Sequence, residues 1–276
     1  MAISNNPLRQ YFRRPAVFLR LPSGGKGYPA GSLELTETGE LPVFPMTAID
    51  EITVKTPDAL FNGSAVAELI KSCIPGIKDP WSVSSVDLDA ILIAIRTATD
   101  NGKLEIDSEC PSCEVSSKYD INLIAMLTSI KSGDYDQELA LNDMLIKFKP
   151  LTYKQINEVN IIQFDIQRIF NSLNDITDET LKAQKTKDAI ILITNATIKA
   201  LAKTIEYIKV PSAFVREEEF ILDFLQNCDK SVFEEIKNYN LKLKEDNTIK
   251  PIHIKCINCQ HEYDQPFTLN VTDFFA

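Results

Sequence analysis

Residues His253–Tyr263 read HIKCINCQHEY. Ile252 and Ile254 alternate with polar neighbours, as in a short strand, and the strand runs into Cys256 and Cys259, a C-x-x-C pair. Two thiolates are half of a tetrahedral shell. The other half is found at Cys110 and Cys113, in CPSC, after the alternating stretch KLEID with Leu104 and Ile106 on one face. Each pair is followed by a polar, strand-capable segment, EVSSKYDINL after the first and QHEYDQPFTLN after the second. A strand, a C-x-x-C turn and a returning strand make a zinc knuckle, and two facing knuckles make a ribbon with four thiolates. The usual spacing between pairs is about 15–20 residues. Here it is roughly 140, so the intervening chain is read as an insertion that the ribbon closes over.

That intervening chain is largely helical in pattern. TYKQINEVNIIQFDIQRIFNSL has apolar residues at helical spacing, and the run from Asp178 to Val210 places Ile191, Thr194, Ile198, Leu201, Ile205 and Ile208 on one stripe. VREEEFILDFLQNC and KSVFEEIKNYNLKL read as two shorter helices. Before the first knuckle, TPDALFNGSAVAELIKSCI reads as a helix with Pro57 near its start. SSVDLDAILIAIRTATDNG reads as another, apolar nearly all round in its middle and so buried, with Asp87 and Asp89 in its first turn, at the positive end of the helix dipole. LIAMLTSI is a short helix, and DMLIKFKPLTY is a strand carrying Met144, Ile146 and Phe148 on alternate positions. The fold class is therefore α+β: mainly helical, with short strands and a split zinc ribbon joining the middle and the C-terminus. Four parts are expected: an extended basic arm at 1–46, a helix and strand domain with the first knuckle at 47–150, a helical insertion at 151–248, and a C-terminal strand with the second knuckle at 249–276.

The 276 residues carry a net charge of −10, unevenly spread. Residues 1–33 hold Arg9, Arg13, Arg14, Arg20 and Lys26 and no acid, leaving 24 basic against 39 acidic residues elsewhere, a net of −15. An acidic body argues against general affinity for nucleic acid and so against a zinc-ribbon regulator that binds it. A basic arm on an acidic body points to protein partners, with RQYFRR offering Arg9, Tyr11, Phe12, Arg13 and Arg14, and Arg20 close by. No apolar run approaches the roughly 20 residues of a membrane helix. The opening MAISNNPLRQYFRRP places arginines where a secretory signal has its apolar core, and prolines 7, 15, 22 and 29 interrupt any amphipathic transit helix.

No catalytic constellation is evident. His253 alternates with buried-type isoleucines and is assigned to the solvent face of a strand, and His261 to the surface of a knuckle. GGKG lacks the spacing and the following helix of a phosphate loop. Asp87, Asp89 and Arg96 are read as a helix cap and a surface ion pair rather than acid–base machinery. Cys73 and Cys228 read as small core residues. Disulfide and redox readings of the C-x-x-C pairs compete with the metal. A chain without a secretory signal stays where thiols are reduced, and neither pair opens a helix in a βαβ unit. One structural zinc per chain is expected at Cys110, Cys113, Cys256 and Cys259.

Three segments, FPMTAIDEITVKTPDALFNGSAVAELIKSCIPGI, SSVDLDAILIAIRTATDNGKLEIDSECPSC and KFKPLTYKQ, together resemble the baseplate hub and hub-assembly proteins of T4-like contractile-tailed bacteriophages. The likeness is carried by Met46, Asp50, Glu51, Pro57, Asp58, Asn62, Gly63, Cys73, Pro75, Asp87, Asp89, Arg96, Cys110 and Cys113, strongest over residues 40–155, with CINCQHEYDQPFTLNVTDFF similar to the ending of such proteins. The resemblance implies a non-enzymatic protein made in the cytoplasm of an infected bacterium. It implies a structural component of the virion tail baseplate, contacting other tail proteins, or a non-virion factor that helps assemble it.

Overall fold

The computed structural model describes residues 6–56, 62–173, 178–245, 247–269 and 271–275. Pro57 and Asp58, expected at a helix start, lie outside the described residues. The chain divides into two compact units, the first uniting 1–80, 87–130 and 249–276, the second 81–86 and 131–248. The long segment of the second unit thus begins at Lys131. Strand alternation stops at Pro150, but the strands before it pair with a strand that follows the long helices, so they belong to the inserted unit.

In the first unit, β1 (Val17–Leu19) pairs antiparallel with β2 (Leu41–Val43), burying Leu19, Leu41 and Val43. Residues 1–46, read from composition as an extended arm, are therefore tied down along much of their described length. Glu34 donates its amide to the Gly76 carbonyl and Lys78 donates to the Ser32 carbonyl. Arg13 reaches across the same unit: its guanidinium donates to the Ser72 carbonyl and hydroxyl, both at 2.8 Å, and to the carboxylate of Asp50 at 3.2 Å. Asp50 is itself half of a capping box with Thr47 that starts α1 (Ala48–Val54). Burial raises the Asp50 pKa, but hydrogen bonds from Thr47 and Ser72 and the Arg13 charge outweigh it and leave the carboxyl below its ordinary value.

Helix α2 (Ser64–Cys73) buries its apolar face and ends at Cys73, whose thiol burial pushes up to about 12, as befits an inert core residue. Helix α3 (Ser85–Asp100) has every residue from Ala90 to Ile95 buried, the outcome that an all-apolar middle dictates. Asn101 and Gly102, both at positive φ, turn it into β3 (Lys103–Glu109), which pairs with β4 (Ser116–Asn122) and leads to α4 (Leu123–Ser129).

Gly76 lies where the arm crosses the end of this core. A Cβ there would stand 2.7 Å from both the Glu34 carbonyl oxygen and Leu41 Cδ2. Backbone does not yield as a flexible side chain does, so Gly76→Ala is expected to cost about 1–3 kcal/mol by overpacking, measured by urea denaturation.

In the second unit, β5 (Glu138–Leu141), β6 (Met144–Phe148), β7 (Ile205–Val210) and β8 (Ala213–Val215) form an antiparallel sheet in that order. Helix α5 (Tyr153–Leu173) opens on a Thr152–Gln155 capping box and pairs with α6 (Glu179–Thr204). Helices α7 (Glu218–Asn227) and α8 (Lys230–Glu245) complete a core of Ile146, Phe148, Leu201, Ile205, Ile208, Ile221, Leu225 and Ile236.

The stripe from Ile191 to Ile208 is not one helical face. Helix ends at Thr204, and Ile205 and Ile208 lie on β7 instead, where β-branched residues pair with β6. At the other end Ile191 is 47% exposed and Thr194 is exposed. Only the last turns of α6 reach the sheet.

Candidate metal centre

The two C-x-x-C turns are built alike. Glu114 donates its amide to the Cys110 carbonyl at 2.9 Å, and Gln260 donates to the Cys256 carbonyl at 3.0 Å. Cys110 donates to the Val115 carbonyl and Cys256 to the His261 carbonyl. In each, the residue after the second cysteine is left-handed, Glu114 at φ 56° and Gln260 at φ 63°. This reversal turns the chain back as β4 after the first pair and as β10 (Glu262–Gln265), the partner of β9 (Ile252–Lys255), after the second. The repeated geometry defines two knuckles of one kind, brought together from positions 143 apart.

The hairpins meet through side chains, not by a shared strand ladder. Tyr263 OH lies 2.8 Å from Ser108 Oγ, and that hydroxyl donates to Gln265 Oε1 at 2.9 Å. Ser108 is the buried residue of β3, so a pattern with no large apolar side chain at that position still faces inward.

All four sulfurs lie within 4.8 Å of one another. Cys110 Sγ is 3.6 Å from Cys259 Sγ, and Cys113 Sγ is 3.7 Å from Cys256 Sγ. A tetrahedral zinc with Zn–S near 2.3 Å has sulfur–sulfur edges of about 3.8 Å. The separations match that edge, and all six cysteines of the chain are free thiols. The four sulfurs could hold a metal ion. Backbone hydrogen bonding from Cys259 brings the Cys256 thiol down to about 6, while at Cys259 the His261 backbone hydrogen bond is outweighed by desolvation and the neighbouring thiols, which hold it up at about 11. Backbone hydrogen bonding from Val115 likewise lowers Cys113, helped by the Asn258 amide, which donates to its sulfur at 3.6 Å. Asn258, in the second knuckle, thereby supports a sulfur of the first, a contact that spacing did not reveal.

The other residues singled out from sequence are spread over the molecule. His253 is exposed, its Nδ1 3.0 Å from Asp264 Oδ1, and His261 is exposed beside Tyr263. Cys228 sits half-buried at the end of α7. Arg9, Tyr11, Phe12 and Arg14 are exposed, Tyr11 at 77% and Phe12 at 57%. Arg20 is exposed and reaches the Thr38 carbonyl at 3.4 Å, whereas Arg13 is occupied inside the chain as described.

Asp87 differs most from the surface cap that its place in the first turn of α3 predicts. It is fully buried, and its carboxylate accepts hydrogen bonds from the Ser23 amide at 2.8 Å, the Ser23 hydroxyl at 2.6 Å and the Tyr28 hydroxyl at 2.9 Å. It is a buried anchor for the loop at 21–29, not a surface cap. Burial raises its pKa against the pull of those hydrogen bonds. Asp89, two residues on, is raised by burial alone. Arg96 pairs with Asp100 at 2.6 Å.

Fold and site together define an α+β protein of two compact units, the first of which brings four cysteines close enough to hold a metal ion. A family model described as T4 bacteriophage base plate protein matches residues 38–276, nearly the whole length. The chain belongs to that family, a membership that supports a structural role in the phage baseplate and association with other tail proteins. No curated protein and no solved structure matches the chain. Among the described residues no helix is long and apolar enough to cross a membrane.

Proposed function

We propose that this chain is a structural component of the hub region of the tail baseplate, assembled in the host cytoplasm and retained in the virion, and that Cys110, Cys113, Cys256 and Cys259 hold one structural zinc ion. The observation that carries the reading is the four-sulfur shell in a chain of the baseplate family. Four thiolates complete a tetrahedron and leave no position for a reacting water, so the ion's contribution is a cross-link. The role is mechanical: a clamped framework that binds neighbours and turns over no substrate.

Arg9, Tyr11, Phe12, Arg14 and Arg20 form the partner-facing surface near the N-terminus. Exposed aromatic and arginine side chains are the types enriched where interfaces are energetically strongest. Arg13 belongs to the same set and positions it, by fixing residues 11–14 to Ser72 and Asp50.

Mass spectrometry of purified virions, with metal analysis of the isolated chain, tests both parts. The chain is expected in the particle, with one zinc per chain. Absence from virions that contain the other baseplate proteins would make it an assembly factor, and a metal-free chain that stays folded would remove the clamp.

A further inference from the structure

A second surface of the inserted unit has the form of a receptor. Helices α5, α6 and α8 enclose a groove of about 490 Å³. Ile162, Ile166, Ile193, Ala200 and Leu241 supply apolar lining, and Ile162, Ile193 and Leu241 are 38–45% exposed there. Ala196 and Ala200, one turn apart on α6, keep the floor low. Lys237 and Lys244, seven residues apart on α8, contribute to one side, and none of the lining residues is acidic. Lys237 makes only a 3.4 Å contact with Glu234, and Lys244 has no carboxylate partner among the described residues.

We infer that this groove receives an amphipathic helix of another baseplate protein, with an apolar stripe against the alanine floor and carboxylates two turns apart against Lys237 and Lys244. The apolar lining and low floor suit helix-in-groove recognition, read as anchors at i, i+3, i+4 and i+7. Two lysines seven residues apart stand about 10.5 Å apart along α8, the spacing of acids at i and i+7 on a bound helix. The groove has no arginine and no aromatic lining, unlike a channel for single-stranded nucleic acid. A second copy docking by two-fold symmetry would set the lysine row against itself. The identity of the partner as a baseplate protein rests on the function proposed above.

The test uses the full-length chain and two fluorescein-labelled, side-chain-stapled helical peptides. Both carry leucine at the stripe positions, and one has glutamate and the other lysine at the paired i and i+7 positions. In fluorescence anisotropy the glutamate peptide is expected to bind saturably and the lysine peptide at least tenfold more weakly. Lys237→Glu with Lys244→Glu should invert that preference. Ala200→Trp, which fills the floor, should abolish binding of both peptides while circular dichroism and melting remain those of the parent chain. Equal binding of the two peptides, binding of neither, or indifference to these substitutions would overturn the inference. So would a sedimenting dimer that Ala200→Trp dissolves, since the groove would then belong to a second copy. The peptides address the groove alone, and virion mass spectrometry addresses the baseplate role alone, so the two can fail separately.

Discussion

Cys256→Ser is expected to abolish stoichiometric zinc binding and to lower the melting temperature by more than 10 °C. Cys110, Cys113 and Cys259 should behave alike, since each would supply one vertex of the proposed shell. Structural zinc contributes roughly 10–16 kcal/mol of apparent binding energy in small zinc domains. Even if half of that is lost to reorganisation, the remainder is comparable with the whole net stability of an ordinary domain. For a chain of this size 1 kcal/mol corresponds to about 2–4 °C, which sets the expected scale. Differential scanning calorimetry with parallel metal analysis would read both effects. Cys228→Ser is the control, because its sulfur lies at the end of α7 in the other unit, outside the four-sulfur cluster, and the substitution should leave zinc content unchanged. A Cys256→Ser chain that keeps its zinc and its melting temperature would refute the clamp.

Asp87→Ala is expected to be the most damaging single change outside the cysteines, costing about 3–5 kcal/mol. It deletes one acceptor but orphans three donors, the Ser23 amide and the hydroxyls of Ser23 and Tyr28. A buried donor left without a partner costs about 1–3 kcal/mol. Asp87→Asn should cost less, because its carbonyl still accepts from Ser23 and the two hydroxyls can turn to accept from the amide. The pH dependence carries a sign that distinguishes the residue. Its folded pKa is raised above the ordinary 3.8, so the folded state holds this proton more tightly than the unfolded state does. The associated stability is fully present below about pH 3.8 and is lost as pH rises through the raised folded value. Asp50 has the opposite sign: its pKa is lowered, so its contribution is present above the ordinary value and is lost as pH falls through the folded one. Asp87→Asn should therefore flatten the decline of stability with rising pH on the alkaline side of 3.8. Denaturant midpoints taken across pH 4–7 would show it, and an unchanged slope would mean that Asp87 ionises freely.

The contrast between these residues explains what could be read in advance. The sulfur cluster was legible because metal chemistry imposes a local spacing twice, and each copy is bounded by period-two alternation in β3 and β9. The burial of α3 was legible because six consecutive residues offer no polar side to face water. Asp87 was not: its partners Ser23 and Tyr28 lie 64 and 59 positions away in a loop without periodicity, so only the end-of-helix reading was available locally. A carboxylate one turn ahead of an all-apolar run was the single hint. The stripe on α6 failed for a different reason. Period 3.6 records which side chains align, but not where the neighbouring element ends, and the sheet covers only the C-terminal part of the helix. Arg13 fell between the two. Its charge drew attention, yet charge alone does not separate an outward contact from the inward one it makes with Ser72 and Asp50.

The wide separation of the two knuckles has a consequence for how the chain is made. Residues 131–248 emerge from the ribosome after Cys113 and before Cys256, so the inserted unit is complete while the first still lacks two of its four clustered cysteines. At translation rates of about 5–20 residues per second that interval lasts roughly 7–30 s. A nascent chain halted anywhere within it carries an open knuckle, and the fastening of the first unit becomes a late event that reports the arrival of its last strands.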